Sequence, residues 1–111
     1  MTAEAVHMAS LRHPVQFLDV RKPSEFNAQH VEGAINIPLE TLPELAKLPD
    51  EKEIYYVYCE GGYRSVIFVS LMEKRGARNL VNITGGIKAM KAGGQATLTK
   101  HVCPANGLGC G

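Results

Sequence analysis

The seven residues from Cys59 to Ser65, CEGGYRS, bring a nucleophile, two glycines and a cation into one short segment. They lie between two apolar runs, IYYVY and VIFVSLM, whose composition predicts a buried strand followed by a helix. Backbone N–H groups of a glycine-rich loop and the positive end of a helix dipole stabilise a nearby anion such as a thiolate. We therefore expect a Cys59 pKa below about 8.5, within the range of roughly 3.5 to 7.5 found for activated thiols. The guanidinium of Arg64 would add to this effect if it folded back toward the loop, and the same pocket would attract an oxyanion.

A buried structural cysteine is the alternative interpretation of this position, because a thiol at a strand end often packs as a small apolar side chain. The composition of the loop favours the reactive thiol. Gly61 and Gly62 let the loop curl without steric cost, whereas a structural cysteine needs no such sequence after it. We expect Glu60 and Tyr63 to form the rim of the pocket.

The elements that must position this loop alternate between strand and helix, which predicts an α/β domain with a mainly parallel sheet of four or five strands and helices on both faces. In such sheets ligands bind at the carboxyl ends of the strands, and CEGGYRS lies at such an end. The predicted strands cover residues 14–20, 34–37, 54–58 and 77–83. The predicted helices cover residues 3–11 with Thr2 as N-cap, a segment from Pro23, 42–48, 64–75 ended by Gly76, and 87–92.

Composition limits the partners that this chain is expected to have. Its 111 residues fit one domain, and 12 basic against 11 acidic residues leave a formal charge of +1. No run of like charges predicts a nucleic-acid surface, and no run approaches the ~20 apolar residues of a membrane span. Three cysteines do not form a disulfide framework, and the N-terminus lacks a secretory pattern. A cytoplasmic location is therefore expected, although a leader removed earlier would leave no trace.

Three blocks of the chain resemble a rhodanese-homology domain: FLDVRKPSEFNAQHVEGAINIPL, YVYCEGGYRS and NLVNITGGIKAM. Their order and spacing extend the resemblance over nearly the whole chain up to Gly94. The resemblance implies a rhodanese-like three-layer fold for residues 1–94 and sulfur transfer without a cofactor or metal. In the family, the loop cysteine takes the sulfane sulfur of a donor such as thiosulfate, becomes a persulfide and passes the sulfur to cyanide or a thiol. Cys59 matches this residue and Arg64 the loop arginine, and residues 60–65 would cradle the outer sulfur.

Loop length bears on the substrate that the resemblance implies. Four residues separate Cys59 from Arg64, whereas relatives that act on phosphate or arsenate have one more, which widens the ring for a tetrahedral oxyanion. The shorter ring favours sulfur. The expected partner is a small sulfur-containing anion, or a thiol or persulfide protein.

Other positions of the family pattern are expected to support the site rather than to react. Asp19 and Arg21 match the signature strand end, where they would hold the active-site wall, with Arg21 paired to Glu25 at i, i+4. His30 matches a structural turn. The remaining histidines, His7, His13 and His101, show no spacing typical of a metal or catalytic site and are expected at the surface.

The chain departs from the family pattern at three places. No strand precedes the opening helix, Gln29 replaces a small residue, and Met90 replaces an aromatic one. None of these is expected to touch the loop chemistry.

Residues 95–111 lack a period and are predicted to form a flexible glycine- and cysteine-containing tail. The spacing of Cys103 and Cys110 does not match a usual zinc pair. A sharper hypothesis is that one of these thiols resolves a Cys59 persulfide and leaves a disulfide. For the whole chain, the alternative to an enzyme is a sulfur-carrier or sulfide-sensing module that receives sulfur from a protein. A non-catalytic interaction domain is disfavoured, because such relatives tend to lose the cysteine.

Overall fold

The computed structural model describes residues 1–12, 14–45, 52–93 and 98–99 of the chain. Its α-helices are Ala3–Ser10 (α1), Pro23–Ala28 (α2), Tyr63–Lys74 (α3) and Gly86–Ala92 (α4), and a 3₁₀ helix covers Leu39–Glu44. Its strands are Gln16–Asp19 (β1), His30–Val31 (β2), Ile35–Asn36 (β3), Tyr55–Tyr58 (β4), Leu80–Asn82 (β5) and Leu98–Thr99 (β6).

The central sheet has four parallel strands in the order β3-β1-β4-β5, so that β1 and β4 are internal. The register places Asp19 beside Tyr58, which are the last residues of these two strands. Because parallel strands end at the same edge of a sheet, the loop that begins at Cys59 lies beside the segment that follows Asp19. The predicted α/β architecture with a parallel sheet is confirmed.

Strand β4 is buried on both faces of the sheet, which explains why its sequence is apolar without interruption. Tyr55 and Val57 face one side of the sheet, and Tyr56 and Tyr58 face the other, since successive side chains of a strand alternate. Both faces are covered, as is typical of parallel sheets. One core contains Leu18, Val20, Leu42, Tyr55, Val57, Cys59, Phe68 and Met72; the other contains Ala3, Val6, Val31, Tyr56, Tyr58, Ile83, Ile87 and Met90.

The N-terminal segment is tied to the β5 edge of the sheet. Thr2 is the N-cap of α1, as predicted, and its hydroxyl oxygen accepts the N–H of Ala5 at 3.1 Å. The backbone of Thr2 also forms a parallel bridge with Thr84, two residues after the end of β5. Among the described residues, this sheet therefore has four strands, with one isolated bridge at Thr2.

Two predicted segments differ from the observed ones. The helix predicted for residues 42–48 is instead a 3₁₀ helix that ends at Glu44, and Pro43 inside it has no N–H to donate to an α-helical bond. Residues 46–48 of that prediction lie outside the described residues. In the predicted tail, Leu98–Thr99 pairs antiparallel with β2, while Cys103 and Cys110 lie outside the described residues.

Within the described ranges, no helix combines the length and apolar character that crossing a membrane requires.

Candidate active site

The thiol of Cys59 lies where the apolar core meets the polar loop. Cys59 follows β4 directly, and Gly62, with φ of 97°, is the N-cap of α3. This left-handed conformation favours glycine, and it lets the chain turn back over the sulfur. The N–H of Gly62 donates to Cys59 Sγ at 3.0 Å, and the Ser65 hydroxyl oxygen lies 3.6 Å from the same sulfur.

The pKa of Cys59 is the outcome of two opposing effects. Burial raises it, because removal from water disfavours the thiolate; hydrogen bonds from the backbone and hydroxyl of Ser65 and from the backbone of Gly62 and Arg64 lower it. The hydrogen bonds prevail, and the pKa lies below that of an ordinary cysteine. Three backbone N–H groups of the loop, those of Gly62, Arg64 and Ser65, thus act on the sulfur.

Helix α4 fixes the orientation of this loop. The N–H of Ile87 donates to the Cys59 carbonyl at 2.9 Å, and the N–H of Lys88 donates to the Glu60 carbonyl at 3.1 Å. Because the C=O and N–H of a trans peptide point in opposite directions, these bonds turn the N–H groups of Glu60 and Gly61 away from α4. At Gly86, φ is 60°, and a Cβ would lie 2.4 Å from the Cys59 carbonyl oxygen, so only glycine permits this approach.

Arg64 leaves the loop and forms a two-pronged ion pair with α2. Its Nη1 and Nη2 lie 2.7 and 2.9 Å from Oε1 and Oε2 of Glu25. The bonds from Arg64 are the main reason why the pKa of Glu25 falls to about 2. The pKa of Arg64 is raised, first by Glu25 and then, to a smaller extent, by the charges of Cys59 and Asp19. The guanidinium therefore lies within electrostatic range of the thiolate but is bonded to a carboxylate.

Arg21 is held in a second, more buried ion pair. Its Nε lies 3.1 Å from both carboxylate oxygens of Asp19, and its Nη2 lies 2.8 Å from Oδ2 of the same residue. Nη1 lies 3.3 Å from Glu60 Oε2, and Nη2 also donates to the Gln29 carbonyl. The predicted pairing of Arg21 with Glu25 is wrong, because Arg21 points into the strand end and Glu25 points toward Arg64.

Two further side chains form the wall behind the loop. The Tyr58 hydroxyl accepts the N–H of Val31 at 3.0 Å, and burial together with the neighbouring Asp19 raises its pKa. His30 is buried, its Nδ1 lies 2.6 Å from the Phe26 carbonyl oxygen, and its ring stacks on Phe26 with centroids 3.7 Å apart. These contacts agree with a structural role for His30.

The predicted rim residues differ in their surroundings. Tyr63 is 80% exposed at the first turn of α3, whereas Glu60 is tied to Arg21. Cys59 itself is only 1% exposed, so the loop and the core cover nearly all of its surface. His7 is half-buried, and His13 and His101 lie outside the described residues. Within the described ranges, no three side chains of His, Cys, Asp or Glu form a group that could hold a metal.

Sequence reasoning missed the partner of Arg64 and the role of α4. Glu25 and Arg64 are 39 residues apart, and the carbonyl contacts of α4 are made by backbone atoms. The signal in the sequence for the contacts of α4 was the adjacent pair of glycines, Gly85 and Gly86. Both have positive φ in the structure.

Known proteins share this fold. The sequence model of the Rhodanese-like domain matches residues 2–93, and the chain belongs to this family. Among solved structures, a rhodanese-like domain protein from Staphylococcus aureus superposes with a TM-score of 0.71 at 34% identity, over 80% of this chain and 87% of that one. A rhodanese-related protein from Thermoplasma volcanium gives a TM-score of 0.77 at 29% identity, over 89% and 95% of the two chains.

Curated relatives carry different functional descriptions. The thiosulfate sulfurtransferase PspE of Escherichia coli is 35% identical over 65% of this chain and 70% of its own length. The uncharacterized protein YqhL of Bacillus subtilis is 35% identical, and 77% of this chain covers 66% of it. A putative sulfur carrier protein of the same organism, YrkF, is 30% identical, and 67% of this chain covers only 40% of it. The chain is thus a rhodanese-like domain whose relatives include both sulfurtransferases and sulfur carriers.

Proposed function

We propose that this protein is a sulfurtransferase that carries sulfane sulfur as a persulfide on Cys59. The observation that supports this most directly is the 3.0 Å hydrogen bond from the Gly62 N–H to Cys59 Sγ, within a loop whose hydrogen bonds lower the pKa of that thiol. A favoured thiolate needs no general base, because it is already the nucleophile.

The reaction consists of two displacements. In the first, the Cys59 thiolate attacks the outer sulfur of thiosulfate or of a persulfide; the sulfur–sulfur bond of the donor breaks, and sulfite or a thiolate leaves with the electron pair. In the second, cyanide or a thiolate attacks the outer sulfur of the Cys59 persulfide, and the Cys59 thiolate is released. No oxidant is consumed, and ping-pong kinetics are expected from the covalent intermediate.

The residues around the sulfur divide this work between them. The N–H groups of residues 60–65 would hold the terminal sulfur of the persulfide. This sulfur is an anion, and it would accept hydrogen bonds from the loop as a bound anion does in a nest of backbone N–H groups. Arg64 lies at the start of α3 in its ion pair with Glu25, and Asp19 with Arg21 supports the wall. The small loop favours a single sulfur atom over a tetrahedral phosphate.

Intact-mass spectrometry tests the proposal. Incubation with thiosulfate, or with a protein persulfide, is expected to add the mass of one sulfur atom to the wild-type chain, and cyanide should remove it with formation of thiocyanate. The Cys59→Ser variant should gain nothing at this position. Brisk hydrolysis of a phenyl phosphate with no sulfur added from either donor would refute sulfur transfer.

A sulfur-carrier role is the second candidate, and the burial of Cys59 together with the similarity to YrkF favours it. A carrier should load from a protein persulfide and turn over slowly with small donors and acceptors. Comparing loading rates from thiosulfate and from a cysteine desulfurase persulfide, at equal donor concentration, separates the two roles.

A further inference from the structure

The charges around Cys59 are already paired with one another. Among the described residues, the ion pairs at the loop are formed by two guanidinium groups, those of Arg21 and Arg64, and three carboxylates, those of Asp19, Glu25 and Glu60. Together these five side chains carry one net negative charge. Lys22 and Lys88 lie nearby with exposed side chains, where solvent and salt screen their charges. A donor that carries two negative charges therefore meets little uncompensated positive charge at this site.

Glu25 occupies the face of Arg64 that would otherwise recognise an oxyanion. Both Nη atoms of Arg64 are bonded to the Glu25 carboxylate, which therefore fills the Nη1–Nη2 fork and offsets the charge of the guanidinium. Glu25 is itself held in place, since its Oε1 accepts the N–H of Lys22 at 3.2 Å. The sulfonate of thiosulfate must displace this carboxylate or approach Cys59 without the fork of Arg64.

We propose that Glu25 determines the donor preference of Cys59: by occupying Arg64, it favours persulfides of uncharged or weakly charged thiols over thiosulfate. This inference rests on the proposed function and specifies its substrate class. Glu25 acts through Arg64 and is a positioning residue, not a catalytic one. With a persulfide donor, the thiolate of Cys59 attacks the outer sulfur, the sulfur–sulfur bond breaks, and the leaving thiolate takes the electron pair and a proton from water.

The substitution Glu25→Gln tests this inference because it keeps the shape and removes the charge. We expect the KM for thiosulfate to fall about tenfold, the effect of one nearby charge on an anion, with little change in kcat. With the persulfide of 2-mercaptoethanol, KM should change by about twofold or less. Glu73→Gln is the matched control, since it removes one carboxylate from the far end of α3, about 13.5 Å along the helix axis from Arg64.

The double variant shows whether Arg64 carries the effect. In an Arg64→Met background, Glu25→Gln should change the thiosulfate KM by about twofold or less, because no fork remains to be released. If Glu25→Gln changed the KM by the same factor with both donors, or left the thiosulfate KM unchanged, Glu25 would not determine the donor preference. This would hold even if Cys59 forms a persulfide. Wild-type protein that loads from neither donor would overturn the proposed function itself.

Discussion

Two arginine–carboxylate pairs flank the same sulfur and differ mainly in burial. Asp19 is fully buried and the Arg21 side chain is 5% exposed, whereas Arg64 and Glu25 are each 32% exposed. Burial by itself lowers the pKa of Arg21, yet the bonds and charge of Asp19 raise it overall, so the guanidinium stays charged in the interior. At Arg64 the bonds to Glu25 have the largest effect, and burial matters less.

The same kind of ion pair thus serves two purposes in this site. A buried pair cannot lose one member without leaving an uncompensated charge, so Arg21 and Asp19 fix the strand end against the loop. The backbone N–H of Arg21 also donates to Asp19 Oδ1 at 2.9 Å, which closes the turn. A partly exposed pair contributes little stability, so Arg64 and Glu25 can separate at low cost.

The largest effect on the free energy of unfolding is expected from Arg21→Met. This change leaves the Asp19 carboxylate buried without its partner and should cost about 3–5 kcal/mol of unfolding free energy, measured by urea denaturation. Combining it with Asp19→Asn should restore part of the loss, because the buried charge is removed. A loss below about 1 kcal/mol in the single variant would contradict the structural role assigned to this pair.

The second prediction concerns the pKa of Cys59, the residue flanked by the two ion pairs. The rate of iodoacetamide alkylation against pH should show a midpoint below about 8.5, and Ser65→Ala should raise this midpoint by about one unit because a hydrogen bond to the thiolate is lost. Arg64→Met should raise it by less, since Glu25 already neutralises the guanidinium. Ser70→Ala, on the exposed side of α3, is the control and should leave the midpoint unchanged. A wild-type midpoint at or above that of a free thiol would exclude the amide ring.

The smallest effect on stability is expected from Glu25→Gln, at most about 1 kcal/mol near neutral pH. The folded-state pKa of Glu25 is lowered from its ordinary value near 4.5 to about 2. The carboxylate therefore contributes stability above pH 4.5 that is lost as pH falls toward 2. Urea midpoints of the wild type and the variant should converge over this interval; a constant difference would show that the ion pair is not its source.

Local patterns predicted most of the elements that carry the site. The β-branched and aromatic run before Cys59 became β4, the segment after Gly62 became α3, and Gly76, with φ of 99°, follows the end of that helix. These predictions succeeded because propensity, burial and capping agree at each place. The 3₁₀ helix was mispredicted because apolar spacing in a six-residue, proline-containing segment does not distinguish two helix types.

The sequence around CEGGYRS by itself determined that a cysteine follows a buried strand and that a glycine-containing turn leads from it into a helix, because these are properties of neighbours along the chain. Tertiary structure alone decided which carboxylate each arginine binds. Glu25 is four residues from Arg21 yet bonds to Arg64, 39 residues away, because the short turn into α2 directs it across the sheet edge. Charge pairing depends on distances in space, and a linear sequence does not contain them.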